Sequence, residues 1–202
     1  MTTAKAIVIS EAPAEALSAL MAELDLPRRA LSLPVEPNAA DGLPCFIELW
    51  GDREAVREVA VDWPFPSRAW LVAEYIPFAY DRTWPSGQPS PGLRRVSTIH
   101  RRAGMSQSEF EKHWRGPHTE IARSYTLPVW HYNQNVVVEA LSPGCDEDGF
   151  VGMHFRTAAD LRARWQDHPI EAARGAKDAA LFMTVERSVS MTAIETVWDT
   201  RR

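Results

Sequence analysis

Six histidines, at positions 100, 113, 118, 131, 154 and 168, are the residues best suited to proton chemistry near neutral pH, and all lie beyond residue 92. His118 stands out by its company. Phe110, Trp114 and His118 recur every fourth residue, and Ile121 and Tyr125 continue the stripe. At about 100° per residue these five side chains share one helix face. Burial among aromatics favours the neutral imidazole, which can take or give a proton near pH 7. Gly116-Pro117 interrupts the stretch. Proline is tolerated at a first helical position, so His118 is expected to open a second helical segment whose N-terminus depresses its pKa further. The competing reading is a core histidine bonded to a carbonyl at the kink.

Other candidates are weaker. His154, on the strand-like FVGMHF, shares a face with Phe150 and Gly152, and a glycine there would leave room for a ligand. The competing reading is a strand histidine facing solvent or a helix. His100 shares a strand face with Thr98 and is a candidate to line the same cavity or its mouth. Along Trp130–Leu141, Trp130, Tyr132 and Gln134 share one face, while His131, Asn133 and Asn135 share the other. Only one set can point at the helices, and alternation leaves open which. Trp114, Trp130 and Trp165 read first as core, and would make any cavity wall apolar and aromatic. Arg94-Arg95 and Arg101-Arg102 read as strand-edge or pocket pairs, and Arg101 is a candidate partner for an anionic substrate. His113 falls on the opposite face from Phe110 and Trp114 and is expected in solvent. His168 precedes Pro169 and is expected to cap or end a helix.

Histidine with tyrosine or asparagine can move a proton and steady an enolate or phenolate without a cofactor. No phosphate-cradling glycine loop, nucleophile elbow, paired-cysteine motif or carboxylate-rich metal cluster is visible, so no cofactor and no metal ligands are expected.

The elements that must position these residues occur twice. Ala4–Ser10 reads as a strand, Pro13–Leu24 as a helix, Arg28–Val35 and Cys45–Trp50 as strands. A helix capped by Asp52 and a long strand over Arg68–Tyr80 follow. After the Pro/Gly-rich stretch 81–92 the same β-α-β-β-α-β order begins again. Its helix is opened by a capping-box pattern at Ser106 and Glu109, and a second such pattern stands at Thr157 and Asp160. Asp178–Val185 is left open between strand, loop and helix end. Aligning CFIELWGDREAV with FVGMHFRTAADL matches Asp52 to Thr157 and Leu49 to His154. The expected fold class is therefore α+β: two tandem ferredoxin-like units, residues 1–80 and 93–202, joined by a linker at 81–92 and packed sheet to sheet. The first unit has no histidine and its first helix no tryptophan, so one pocket is expected, in the second unit.

The 202 residues, 45% hydrophobic and 24% charged, suit a soluble globular chain. A net charge of −5 and the lack of a basic patch argue against nucleic acid as a partner. No run reaches transmembrane length and no secretory signal is visible, so a cytoplasmic protein without a membrane partner is expected. Cys45 and Cys145 leave a disulfide open.

The string R-R-A-G-M-S-x-x-E-F-x-x-H-W-x-G-P-H, followed by Tyr132-Asn133-Gln134-Asn135, resembles the EthD family of the dimeric α+β barrel superfamily. The resemblance covers about Leu93 to Asp199. It places the family's aromatic–histidine pattern on Phe110, Trp114 and His118, its strand pattern on Tyr132, Gln134 and Asn135, and its D-x-x-x-F step on Asp178 and Phe182. It implies an α+β barrel. Relatives in that superfamily include cofactor-free dehydratases, cyclases, isomerases and quinol-forming monooxygenases, as well as haem enzymes. The resulting expectation is a cofactor-independent lyase, dehydratase or isomerase for a hydrophobic, aromatic small molecule. His118, His154, His100 and Tyr132 are its catalytic candidates, and Trp114, Phe110, Asn135, Arg101 and Trp130 its substrate-binding ones. The alternatives are a non-catalytic carrier of an apolar metabolite and a haem enzyme using a histidine ligand. Whether one chain completes the barrel or chains pair as a homodimer is left open.

Overall fold

Two of the strands are buried at every residue, β3 (Cys45–Gly51) and β7 (Gly149–Phe155). A strand covered on both faces must lie between two layers, and the computed structural model shows which. It describes residues 3–36, 44–124 and 129–200, without the side chain of Trp165. Tyr125, the last member of the aromatic stripe, lies outside the described residues.

The first half runs β1 (Ala4–Ser10), α1 (Ala14–Glu23), β2 (Arg28–Pro34), β3, α2 (Arg53–Val61) and β4 (Ser67–Phe78). The second runs β5 (Leu93–Ile99), α3 (Gln107–His113), a π-helical turn over Trp114–His118, α4 (Thr119–Ser124), β6 (Val129–Ala140), β7, α5 (Ala158–Gln166), α6 (Pro169–Phe182) and β8 (Ser190–Asp199). Among the described residues, eight strands pair antiparallel in one closed barrel, ordered β1-β3-β2-β8-β5-β7-β6-β4. Each half contributes four strands in the same relative order, and the halves are stitched at β2–β8 and β4–β6. One chain thus completes the barrel by itself. The proline-rich stretch 81–92 is laid along β8, with Ser90 N–H donating to Glu195 O at 2.7 Å. Gly92 has φ +86°, and a Cβ there would stand 1.9 Å from the Phe155 carbonyl, so only glycine fits.

Helices α1 and α2 cover the outer face of the first sheet around Leu17, Met21, Leu49 and Val56. Helices α3 to α6 cover the second around Phe110, Trp114, Tyr132, Met153 and Phe182. The barrel lumen is apolar at one end, with Ile7, Phe46, Trp70 and Phe150. At the other end it holds a buried charge network. Lys5 Nζ reaches Glu48 at 2.6 Å and Asn135 Oδ1 at 2.7 Å, and Arg94 bridges Glu48 and Glu195, the latter at 2.7 Å. Burial alone would raise the Glu48 carboxyl, but Arg94 and Lys5 outweigh it and hold it well below the carboxylate range.

The register corrects the sequence alignment of the two halves. Lys5 pairs with Trp50 across β1–β3, and Arg94 pairs with His154 across β5–β7. The residue equivalent to His154 is therefore Trp50, not Leu49. The helix caps misled the alignment, because the second half has one extra residue, Arg156, between strand end and cap. A one-residue slip in a strand exchanges its two faces.

Candidate functional site

Pro117 has no N–H to bond back along the helix, and an α-helical turn cannot absorb it without loss. The chain answers with a π-helical turn instead of a break. The Trp114 carbonyl inside it is held by two side chains, Thr119 Oγ1 at 2.9 Å and Gln134 Nε2 at 3.3 Å. Helical backbone runs on through Thr119. His118 closes the wide turn rather than opening a new helix, as the sequence suggested. The turn widens the helix where His118 and Trp114 face the sheet. Gly149 on β7 makes space for the indole, since a Cβ there would stand 2.6 Å from Trp114.

Between this turn, α6 and the strands β5, β6, β7 and β8 lies a cavity of about 400 Å³. Its wall includes Trp114, His118, Tyr132, Met153 and Phe182, and at the β5–β8 side Arg95. That size and lining suit a small, largely apolar ligand.

His118 is oriented from behind. Its Nδ1 lies 2.8 Å from Asp178 Oδ2 on α6, and its ring packs on Phe182 at 5.0 Å between centroids. A carboxylate only accepts, so Nδ1 carries the proton and Nε2 is left as the acceptor. Burial is the main cause of a lowered His118 pKa. The hydrogen bond and charge of Asp178 oppose it without cancelling it. The result is a neutral imidazole of fixed tautomer on the wall of an aromatic cavity. Asp178 also takes His113 Nε2 at 3.2 Å on its other oxygen. His113 is thus partly buried and stacked on Phe182, not in solvent as its helix position suggested. Tyr132 lines the cavity beside the turn, its hydroxyl accepting from Gln134 Nε2 at 2.9 Å, the same group that holds the Trp114 carbonyl. Burial raises its pKa, so it remains a phenol able to donate.

The structure brings together His118, Trp114 and Tyr132, with Phe110 packed behind Trp114 at 5.3 Å between ring centroids. The other candidates lie elsewhere. His154 faces the lumen, where Nε2 donates to the Pro91 carbonyl at 2.8 Å. The space beside Gly152 is filled by Arg94 and Asn133, not kept for a ligand. Asn135 also faces the lumen, bonded to Lys5. A bulge between Val129 and His131 turns Trp130 onto Tyr80 and His154, away from the cavity. Arg101 is paired with Asp148 at 3.0 Å. His100 donates through Nδ1 to the Asp146 carbonyl at 3.1 Å, beyond the cavity wall. With the Asp146 and Glu147 carboxylates it forms a His–Asp–Glu group that the sequence did not reveal, but those carboxylates are engaged by Arg187 and Arg68. Both cysteines are free. No helix among the described residues is long and apolar enough to cross a membrane.

Three residues gained importance only in three dimensions: Asp178, Gln134 and Arg95. Asp178 carried a family-pattern position but no assigned role. The i, i+4 spacing of Asp178 and Phe182 on one helix was the available signal. Alternation along β5 puts Arg95, Ser97 and Ile99 opposite Thr98, on the helix side.

No protein family and no curated protein matches the sequence. Solved structures match in fold. The chain is similar to one described as an anthrone oxidase-like protein, at 8% identity and TM-score 0.64, over 99% of this chain and 94% of that one. A dimeric protein of unknown function and ferredoxin-like fold from Bacteroides fragilis overlaps 50% of this chain and 92% of its own, at 11% identity and TM-score 0.33. The fold is an α+β barrel of two ferredoxin-like β-α-β-β-α-β units, closed within a single chain.

Proposed function

We propose that this chain is an EthD-like, cofactor-independent lyase, dehydratase or isomerase acting on a hydrophobic aromatic small molecule, with His118 as its acid–base group. The observation that carries this is the His118–Asp178 pair at 2.8 Å on the wall of an aromatic cavity. Burial keeps the imidazole neutral and Asp178 fixes its tautomer, so Nε2 is the base. Asp178 then steadies the imidazolium formed when a proton arrives, which is how a buried carboxylate assists a histidine base. Tyr132 supplies an O–H that can polarise a substrate oxygen. His154 and His100, placed outside the cavity, are assigned no part in this chemistry.

The test needs no knowledge of the natural substrate. Aromatic ketones carrying an acidic C–H are incubated with the protein in deuterated buffer, and exchange is followed by NMR. Catalysed exchange is expected, and His118→Gln should remove it while the melting temperature stays within about 2 °C. Exchange that survives in His118→Gln, or unfolding that accompanies its loss, would sink the proposal. Tight binding with no exchange, unchanged in His118→Gln, would assign the cavity to a carrier, and a Soret band in the purified protein would assign it to haem.

The name of the anthrone oxidase-like neighbour favours one second reading. Deprotonation by the same base would prepare an electron-rich aromatic carbanion for attack on dioxygen. Oxygen consumption coupled to the exchanging substrate would select that reading.

A further inference from the structure

Arg95 is a half-buried guanidinium with nothing to bind. It lies on β5 between Met153 of β7 and Thr192 of β8, facing the helices, and it lines the cavity. Among the described residues it makes no hydrogen bond, ion pair or ring contact, whereas its neighbour Arg94 holds two carboxylates in the lumen. Its pKa is lowered by desolvation alone. Folding thus takes a cation partly out of water and gives it no counter-charge, an arrangement that costs stability unless something else supplies one. The other arginines without a partner among the described residues, Arg102, Arg162 and Arg174, are exposed and hydrated.

The rest of the wall offers Arg95 no counter-charge. Arg164 also lines the cavity, and no Asp or Glu does, among the described residues. Asp178 sits behind His118, where its charge is directed at the imidazoles. Beside Arg95 the wall is polar, with Ser97, Ser188 and Ser190; toward the π-helical turn it is aromatic, with Trp114, Tyr132 and Phe182. The cavity therefore has a cationic, hydroxyl-lined side and an aromatic side that carries His118.

We propose that the cavity binds an aromatic acid, its carboxylate held by Arg95 and its ring laid against the wall that Trp114 and Phe182 form, within reach of His118. This rests on the reading of the cavity as the substrate site, and narrows the substrate class. A guanidinium matches a carboxylate through two parallel N–H···O bonds, which fix orientation as well as charge. Arg95 is a binding residue here. The role assigned on sequence to Arg101 passes to it, because Arg101 is already neutralised by Asp148.

The test is binding alone, so its outcome is separate from that of the exchange experiment. Isothermal titration with 2-naphthoate and with 2-naphthamide compares two probes of similar shape that differ in charge. The wild-type protein should prefer the naphthoate by roughly 10-fold or more, the scale of a charge-assisted pair. Arg95→Gln should erase that preference by weakening naphthoate binding and leave naphthamide binding unchanged. Arg95→Lys should retain part of it, and His118→Gln all of it. Ala179→Leu, which fills the cavity from α6, should abolish binding of both probes. Equal wild-type affinities, no binding of either probe, a preference that survives Arg95→Gln, or naphthoate binding that survives Ala179→Leu would each overturn the proposal. Arg95→Gln should not melt lower than wild type, since it breaks no bond, so loss of folding in that variant would also count against an unpartnered guanidinium. If the preference fails while His118-dependent exchange persists, the acid–base reading stands and only the ligand class falls.

Discussion

The two halves share one strand order and differ in what lies between sheet and helices. In the first, Leu17, Met21, Leu49 and Val56 are fully buried in the gap. In the second, the same layer holds a cavity of about 400 Å³. Two additions make the difference. The connection from β5 to β6 carries a π-helical turn where β1 to β2 has the plain helix α1, and α6 has no counterpart before β4. The turn supplies His118 and Trp114; α6 supplies Asp178 and Phe182. One layer is packed dense, and in the other the turn and α6 bring His118, Asp178 and aromatic walls to one place beside an open cavity.

The largest effect expected from this comparison is on chemistry. His118→Gln should lower the exchange rate by roughly 10²- to 10⁴-fold, the usual worth of a general base. Asp178→Asn should lose less, since Nε2 remains while its orientation and charge support go. Met21→Leu, in the corresponding layer of the first half, should leave the rate unchanged. A comparable loss from Met21→Leu would show that the halves are not divided into scaffold and site.

Packing comes next. Ala60 is buried against a filled core in the first half, and Ala179 borders the cavity in the second. Ala60→Leu should destabilise by about 1–3 kcal/mol through overpacking, whereas Ala179→Leu should cost little stability. Urea unfolding of both variants measures the difference. Equal losses would mean that the cavity is closed in solution.

How much of this was legible in the sequence follows from the range of the forces involved. Caps and alternation are local, so the strands, the Asp52 and Ser106 caps and the repeated order could be read directly. The aromatic–histidine stripe was also local, and its Trp114 and His118 line the cavity. Three features depended on distant chain. Asp178 lies 60 residues from His118 and meets it only because α6 folds back. Gly152 suggested ligand space, but its room is taken by Asn133 and Arg94 from neighbouring strands. Aligning the caps put Leu49 opposite His154, whereas barrel register, set by cross-strand pairing, puts Trp50 there. Pro117 announced an interruption, yet whether it would break the helix or widen it was decided by Thr119 and by Gln134 on β6.

Acid should also separate the halves. Burial lowers the pKa of His118, His131 and His154, that of His131 to about 4, and all three belong to the second half. An unfolded histidine protonates near pH 6.5. Below that pH the unfolded chain therefore binds more protons than the folded one, and stability falls as pH falls. Above about pH 7 these groups contribute no slope. Between about pH 6.5 and 4.5 each adds at most about 1.4 kcal/mol per pH unit. The carboxylates Glu48, Glu74 and Glu195, held low by their cations, add their own loss only below about pH 4.5. His131→Gln should flatten the melting curve between pH 6.5 and 4.5 while leaving pH 8 stability nearly unchanged. An unaltered slope would mean that His131 is hydrated and titrates normally.

The smallest effect concerns how the helices begin. In the second half Ser106 accepts from the Glu109 N–H at 3.3 Å, and Glu109 reaches back to the Ser106 N–H at 2.8 Å. In the first half α1 begins after Pro13 with no side-chain cap at all. Ser106→Ala should cost about 1 kcal/mol, or roughly 2–4 °C in melting temperature for a chain of this size. Pro13→Ser should come out near zero, since the new cap offsets the lost restriction of the unfolded chain. The informative measurement is the exchange rate of the Ser106→Ala variant. His118 is fixed by Asp178, Thr119 and Gln134 act on the turn itself, and none of these contacts involves the start of α3. Exchange should therefore stay within about 2-fold of wild type while the melting temperature drops. A parallel loss of rate would mean that the cap, and not the turn, sets the position of the base.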